Sequence, residues 1–164
     1  MERKLIYTNI SDLRDTLKPS ERLMGLDVGS KTIGLALSNS DINISVGIDT
    51  IRRKKFRDDC ETLTKIINNR SVGGLVIGLP LSMDGNEGPA CQSIRQFGSN
   101  IIQLIPIGIT FWDERLSTSA IEKFLIKEVD MTRNKRSEVI DKLAATYILQ
   151  GALDALNQQN QIKR

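Results

Sequence analysis

Two hydrophobic periods divide this chain. Residues 23–39 (LMGLDVGSKTIGLALSN) hold two apolar runs around a Gly-containing turn, which predicts two strands joined as a hairpin. Residues 44–51 (ISVGIDTI) read as a third strand. From Phe56 the period lengthens to that of a helix, with Phe56, Cys60, Leu63 and Ile67 on one stripe and an end near Asn68-Asn69. Residues 72–79 (VGGLVIGL) are apolar on both faces, as a central parallel strand is, and Pro80 blocks their continuation. The loop at 81–88 carries an Asp84-Gly85 turn, and Pro89 suits the first position of a helix with Ala90, Ile94, Phe97, Ile101 and Leu104 or Ile105 on its stripe. Residues 107–112 form a fifth strand that runs into Asp113-Glu114-Arg115. Ser119 and Glu122 have capping-box spacing for a short helix bearing Ile121, Phe124 and Leu125. Residues 128–136 are polar and aperiodic, which predicts a mobile basic loop. A last helix is expected from about Ser137 to Leu156, turning Ile140, Ala144, Tyr147, Ile148, Gly151 and Ala155 inward.

Strands come first as a group and then alternate with helices, so the expected class is α/β: a mixed five-stranded sheet, its first three strands antiparallel, with helices on both faces. The domain spans residues 21–157. Residues 1–20 are expected as an N-terminal appendage, a short helix started by Ser11-Asp12, paired through Leu13 and Leu17 and ended by Pro19; residues 158–164 are a polar tail. A chain of 164 residues buries about 70% of its unfolded surface and needs no disulfide staple. Cys60 and Cys91 both fall on helix stripes, the position of buried reduced thiols. No apolar run approaches the roughly 20 residues that span a bilayer, and the first residues are too polar for a signal peptide, so a cytoplasmic protein is expected.

Composition narrows the chemistry. Histidine is absent, which removes Ser-His and Cys-His nucleophiles and imidazole metal sites, leaving carboxylates, lysines, hydroxyls or a hard cation. A net charge of +3 and a pI near 8.9 favour a polyanionic partner. The charge is concentrated at Arg52-Arg53-Lys54-Lys55 with Arg57, at Arg133 with Lys135-Arg136, and at Lys163-Arg164, runs that are either nucleic-acid contacts or solvated loops. Asp27 is a charge at the end of a strand that otherwise belongs in a core, where even a neutral polar group left unpaired costs roughly 2 to 7 kcal/mol. It is either a functional carboxylate or the Asx cap of its own turn. Asp141 lies beside the packed stripe of the last helix, where Ala144 and Ala145 let that helix approach a sheet closely; it is a ligand or a hydrogen-bond anchor. Asp113 and Glu114 stand at a strand end, where ligands of alternating sheets bind, and at most one of the two faces a given site. The alternative there is an ion pair with Arg115. Three acids arriving from three elements need a cation, and an all-oxygen set selects Mg²⁺ or Mn²⁺. Carboxylate-held cations with basic flanks suit phosphodiester hydrolysis, with Lys31, Arg115, Ser117 and Thr118 as phosphate contacts.

Four motifs in order, residues 25–34 (GLDVGSKTIG), 78–88 (GLPLSMDGNEG), 113–118 (DERLST) and 140–145 (IDKLAA), resemble those of the bacterial YqgF (RuvX-like) family. Its members are described as pre-16S ribosomal RNA nucleases and as Holliday junction resolvase-like proteins of ribonuclease H-like fold. The resemblance covers residues 22–156. It implies catalytic, metal-binding roles for Asp27, Glu114 and Asp141, with Asp113 as a helper. It further implies maturation of the 5′ end of pre-16S rRNA in ribosome biogenesis, with nucleic acid and ribosomal precursor particles as partners and branched DNA as the alternative substrate. Cutting a two-fold junction symmetrically would favour a dimer. Asn39 stands where the family often has an acid, and Thr32 where a basic residue is frequent. Two other classes share parts of the pattern. Sugar kinase and actin-type ATPases open with the same D-x-G hairpin, but need two such halves. A nucleic-acid-binding assembly factor without activity would keep the acids as anchors.

Overall fold

A computed structural model describes residues 5–115 and 133–162, the latter stretch with side chains over 139–159. The described strands are β1 (Ile6–Tyr7), β2 (Arg22–Val28), β3 (Thr32–Ser38), β4 (Ser45–Arg52), β5 (Val72–Leu79) and β6 (Gly108–Asp113). The helices are α1 (Ile10–Asp15), α2 (Phe56–Asn69), α3 (Pro89–Leu104) and α4 (Arg133–Ile162). One sheet has the order β1-β6-β5-β2-β3-β4. β2, β3 and β4 pair antiparallel, while β5 joins β2 and β6 joins β5 in parallel. The five expected strands are present within a residue of their predicted bounds, and β1 is a sixth: two residues, too short to register as a period, pairing parallel with β6.

Strand parity sorts the side chains into two layers. Met24, Leu26, Ile33, Leu35, Leu75, Ile77 and Ile109 face one core with Cys60 and Leu63 of α2 and Cys91, Phe97 and Ile101 of α3. Leu23, Ala36 and Val76 face the other with Leu13 of α1 and Ala145, Ile148, Leu149 and Ala152 of α4. Residues 5–20, read from the sequence as an appendage, thus supply an edge strand and a fully buried Leu13 to this second core. Both cysteines are buried and free.

The long helix departs from expectation in three ways, the first being that it runs on to Ile162, so that 158–162 of the expected polar tail are helical. α4 starts at Arg133, so 133–136 are helical rather than loop; residues 128–132 and the expected short helix at 119–125 lie outside the described residues. Tyr147, expected inward, is half exposed, because it stands two residues, about 200°, round the helix from the buried Ala145. On α3, Cys91 rather than Ala90 enters the core, and Ile105 rather than Leu104 closes its end. No described helix is long and apolar enough to cross a membrane.

Candidate active site

The parity that builds the second core also aims the acids. Asp27 has the parity of Leu23 and Gly25, and therefore emerges on the α4 face at the C-terminal end of β2. Glu114 has the parity of Trp112, which packs in the same core, and follows β6 at the equivalent end of its strand. Its backbone N–H donates to the Leu79 carbonyl at 3.3 Å, and its carboxyl lies over Gly78, where a Cβ would come within 2.5 Å of Oε2. Asp113 points the other way and is engaged by Arg115, Nη2 at 2.6 Å and Nε at 2.8 Å. This ion pair with Arg115 holds the Asp113 carboxyl below its ordinary range. Of the two adjacent acids only Glu114 faces Asp27.

Asp141 arrives from α4, and glycines let it in. A Cβ on Gly34 would overlap the Asp141 carbonyl, one on Gly25 would stand 2.8 Å from Leu149 Cβ, and one on Gly47 would stand 2.8 Å from Lys142 Cγ and Thr146 Oγ1. These three residues, one on each of β2, β3 and β4, floor a shallow bed in which the helix backbone rests against the sheet. Thr32, at the start of β3, donates its hydroxyl to Asp141 Oδ2. The position where the family pattern often has a basic residue thus holds the third acid by a hydrogen bond.

Asp27 feels the charges of the other two acids. Burial pushes Asp27 up to about 7, with the charges of Glu114 and then Asp141 adding to the rise. Burial likewise raises Glu114, and the charge of Asp113 adds to it. Among the described residues no group of three or more acidic or cysteine side chains is placed to hold a metal ion. The three carboxylates offer oxygen donors only, from β2, from the residue that follows β6 and from α4, the donor class that a hard divalent cation takes.

The phosphate candidates divide. Lys31 is exposed on the turn between β2 and β3, Arg52 is exposed at the end of β4, and Lys54 and Lys55 are exposed just beyond it. Arg53 instead turns inward, donating from Nη1 to the Gly29 carbonyl at 2.7 Å. Arg115 is held by Asp113. Ser117 and Thr118 lie outside the described residues, as do the side chains of Arg133, Lys135 and Arg136. Asn39 shapes the β3–β4 connection, its Oδ1 accepting from the Asn43 and Ile44 N–H groups. The pattern of the chain did not mark Thr32 as a partner of Asp141, nor Asp59, which is 2% exposed and accepts the Lys54 N–H at 3.0 Å. An acid in the first turn of a helix directly after a basic run was the available signal for Asp59.

Residues 21–155 match the family model of RuvX, described as Holliday junction resolvase. A protein of Paramagnetospirillum magneticum named "Putative pre-16S rRNA nuclease" is 54% identical over 144 residues, covering 88% of this chain and 92% of its own. A relative of the same name from Ruegeria pomeroyi is 51% identical over 152 residues, covering 93% of this chain and 98% of its own. Among solved structures, fowlpox virus resolvase with Holliday junction DNA superimposes with a TM-score of 0.51 at 12% identity, over 82% of this chain and 98% of that one. Thermus thermophilus RuvC with a Holliday junction substrate gives 0.51 at 10% identity, over 82% and 94%. The sheet order and these superpositions are those of the ribonuclease H-like fold, and the chain belongs to the RuvX family of nucleases.

Proposed function

We propose that this protein is a divalent-metal-dependent endonuclease of structured nucleic acid that matures the 5′ end of pre-16S rRNA during ribosome biogenesis in the cytoplasm. The observation that supports the reading is geometric: half-buried Asp27 at the end of β2 pairs across from Gly34, on which the Asp141 backbone rests, while Glu114 lies over Gly78 of the neighbouring β5. Asp27, Glu114 and Asp141 are the residues that would hold Mg²⁺ or Mn²⁺. Bound there, the cation supplies positive charge to the phosphate in the transition state. The chain does the rest by orientation. Thr32 fixes the Asp141 carboxylate by a hydrogen bond, and Glu114 is seated against Gly78. Exposed Lys31 on the turn that follows Asp27, with exposed Arg52, Lys54 and Lys55, would contact the nucleic-acid backbone, and Arg115, Ser117, Thr118, Arg133, Lys135 and Arg136 are the further phosphate contacts of this reading. Asp113 helps by holding Arg115.

The names of the relatives favour RNA. The family description and the DNA complexes of the structural neighbours favour a second reading, resolution of branched DNA. Cleavage of a pre-16S 5′ leader transcript and of a four-way DNA junction, assayed side by side with Mg²⁺, Mn²⁺ and chelator, tests both. Metal-dependent cleavage of the transcript at a defined position supports the proposal. Cleavage of the junction alone transfers it to DNA, and cleavage of neither removes it.

A further inference from the structure

The basic run beyond β4 is not uniform. Arg52, Lys54 and Lys55 are exposed, but Arg53 is half-buried. Its backbone N–H donates to the Lys31 carbonyl at 2.8 Å, and its Nη1 donates to the Gly29 carbonyl at 2.7 Å. The guanidinium carbon lies 5.4 Å from the centre of the Phe97 ring, which itself meets Phe56 edge to face at 5.7 Å. A planar guanidinium can donate within its plane while its face rests on a ring, a combination that a lysine ammonium does not reproduce.

Residue 53 therefore holds two carbonyls of the 29–32 turn from one side and the core from the other. That turn also closes on itself, Gly29 N–H donating to the Thr32 carbonyl at 2.8 Å. It joins the two ends of the site: Asp27 stands two residues before Gly29, and Thr32 holds Asp141. The clamp is itself anchored, because the next residue, Lys54, donates its N–H to the buried Asp59 carboxylate.

We propose that Arg53 is a positioning residue rather than a phosphate contact: it sets the β2–β3 turn, and through Gly29 and Thr32 the relative placement of Asp27 and Asp141. The proposal rests on the reading of those two acids as catalytic.

The experiment compares wild type, Arg53→Gln, Arg53→Lys and Lys54→Gln by three measurements. In Arg53→Gln, amide hydrogen exchange at Gly29 should accelerate about tenfold or more while Val76 in β5 is unchanged, the signature of a local opening. On the pre-16S leader transcript kcat should fall about tenfold, equivalent to about 1.4 kcal/mol, with KM nearly constant and part of the loss restored in Arg53→Lys. Binding of the same transcript, measured in chelator, should keep its salt dependence in Arg53→Gln, while Lys54→Gln lowers the slope by roughly 0.7 to 0.9. Unchanged exchange at Gly29, or a slope lowered by that amount with kcat retained, would overturn the assignment. If wild type does not cleave, the proposed function fails, yet exchange and salt slope still decide the role of Arg53. Should Arg53→Gln not fold, exchange at Gly29 in Arg53→Lys, which keeps the charge but loses the planar donor, decides it by the same criterion.

Discussion

At the scale of single residues the site is an arrangement of costs around Asp27. Burial, with the charges of Glu114 and Asp141, holds its carboxyl up at about 7, well above the ordinary aspartate value of 3.8. Between those values the folded chain binds more protons than the unfolded one, so stability falls as pH rises through that window and levels off above about 7. In the presence of chelator, Asp27→Asn should therefore melt higher than wild type at pH 8, by about 2 kcal/mol or roughly 5 °C, and the difference should close toward zero at pH 4. Thermal melts of both proteins across pH 4–8 check this; a variant less stable than wild type at pH 8 would contradict it. Asp27 itself was legible in the sequence, since a charge ending an apolar run is conspicuous. Thr32 and Arg53 were not: a hydroxyl and one arginine among four basic residues acquire their partners only when the β2–β3 turn is folded against α4 and Phe97.

At the scale of elements, the seat of α4 decides where Asp141 ends. The Ala144-Ala145 pair did predict a close approach, and Ala145 lies fully buried against the sheet. The larger share of that closeness comes from Gly25, Gly34 and Gly47, which read in the sequence only as weak points within apolar strands. Their alignment across three strands is set by register, Gly25 opposite Ala36 and Gly34 opposite Thr50, and register has no local signature. Gly34→Ala would drive a methyl into the Asp141 carbonyl, and the helix must lift. The expected cost is about 1–3 kcal/mol with loss of cleavage. Gly88→Ala meets nothing within 4 Å and should leave both unchanged, so chemical denaturation and activity of the two variants form a matched test. Equal behaviour of the pair would contradict the close seat of the helix. The same dependence on tertiary context explains β1, whose two residues gain strand geometry only from the β6 edge.

At the scale of the molecule, the topology brings together acids that stand far apart in the chain. β2, β5 and β6 run parallel, so Asp27, Leu79 and Glu114 gather at one end of the sheet, where open α/β sheets bind their ligands. α4 then crosses β2, β3 and β4 to deliver Asp141 to that end. Strand alternation places Glu114 on this face and Asp113 off it, a division that sequence alone could bound but not assign. Exposed cations on the β2–β3 turn and beyond β4 flank the same end, giving a polyanion a path toward the acids. Whether Asp27, Glu114 and Asp141 hold one cation together is read by titration calorimetry of Mn²⁺ into wild type and into Asp27→Asn, Glu114→Gln and Asp141→Asn. Saturable binding to wild type is expected, and its loss in each variant, with all four proteins folded. Saturable binding that survives all three substitutions, or a folded wild type that binds no Mn²⁺, would contradict it.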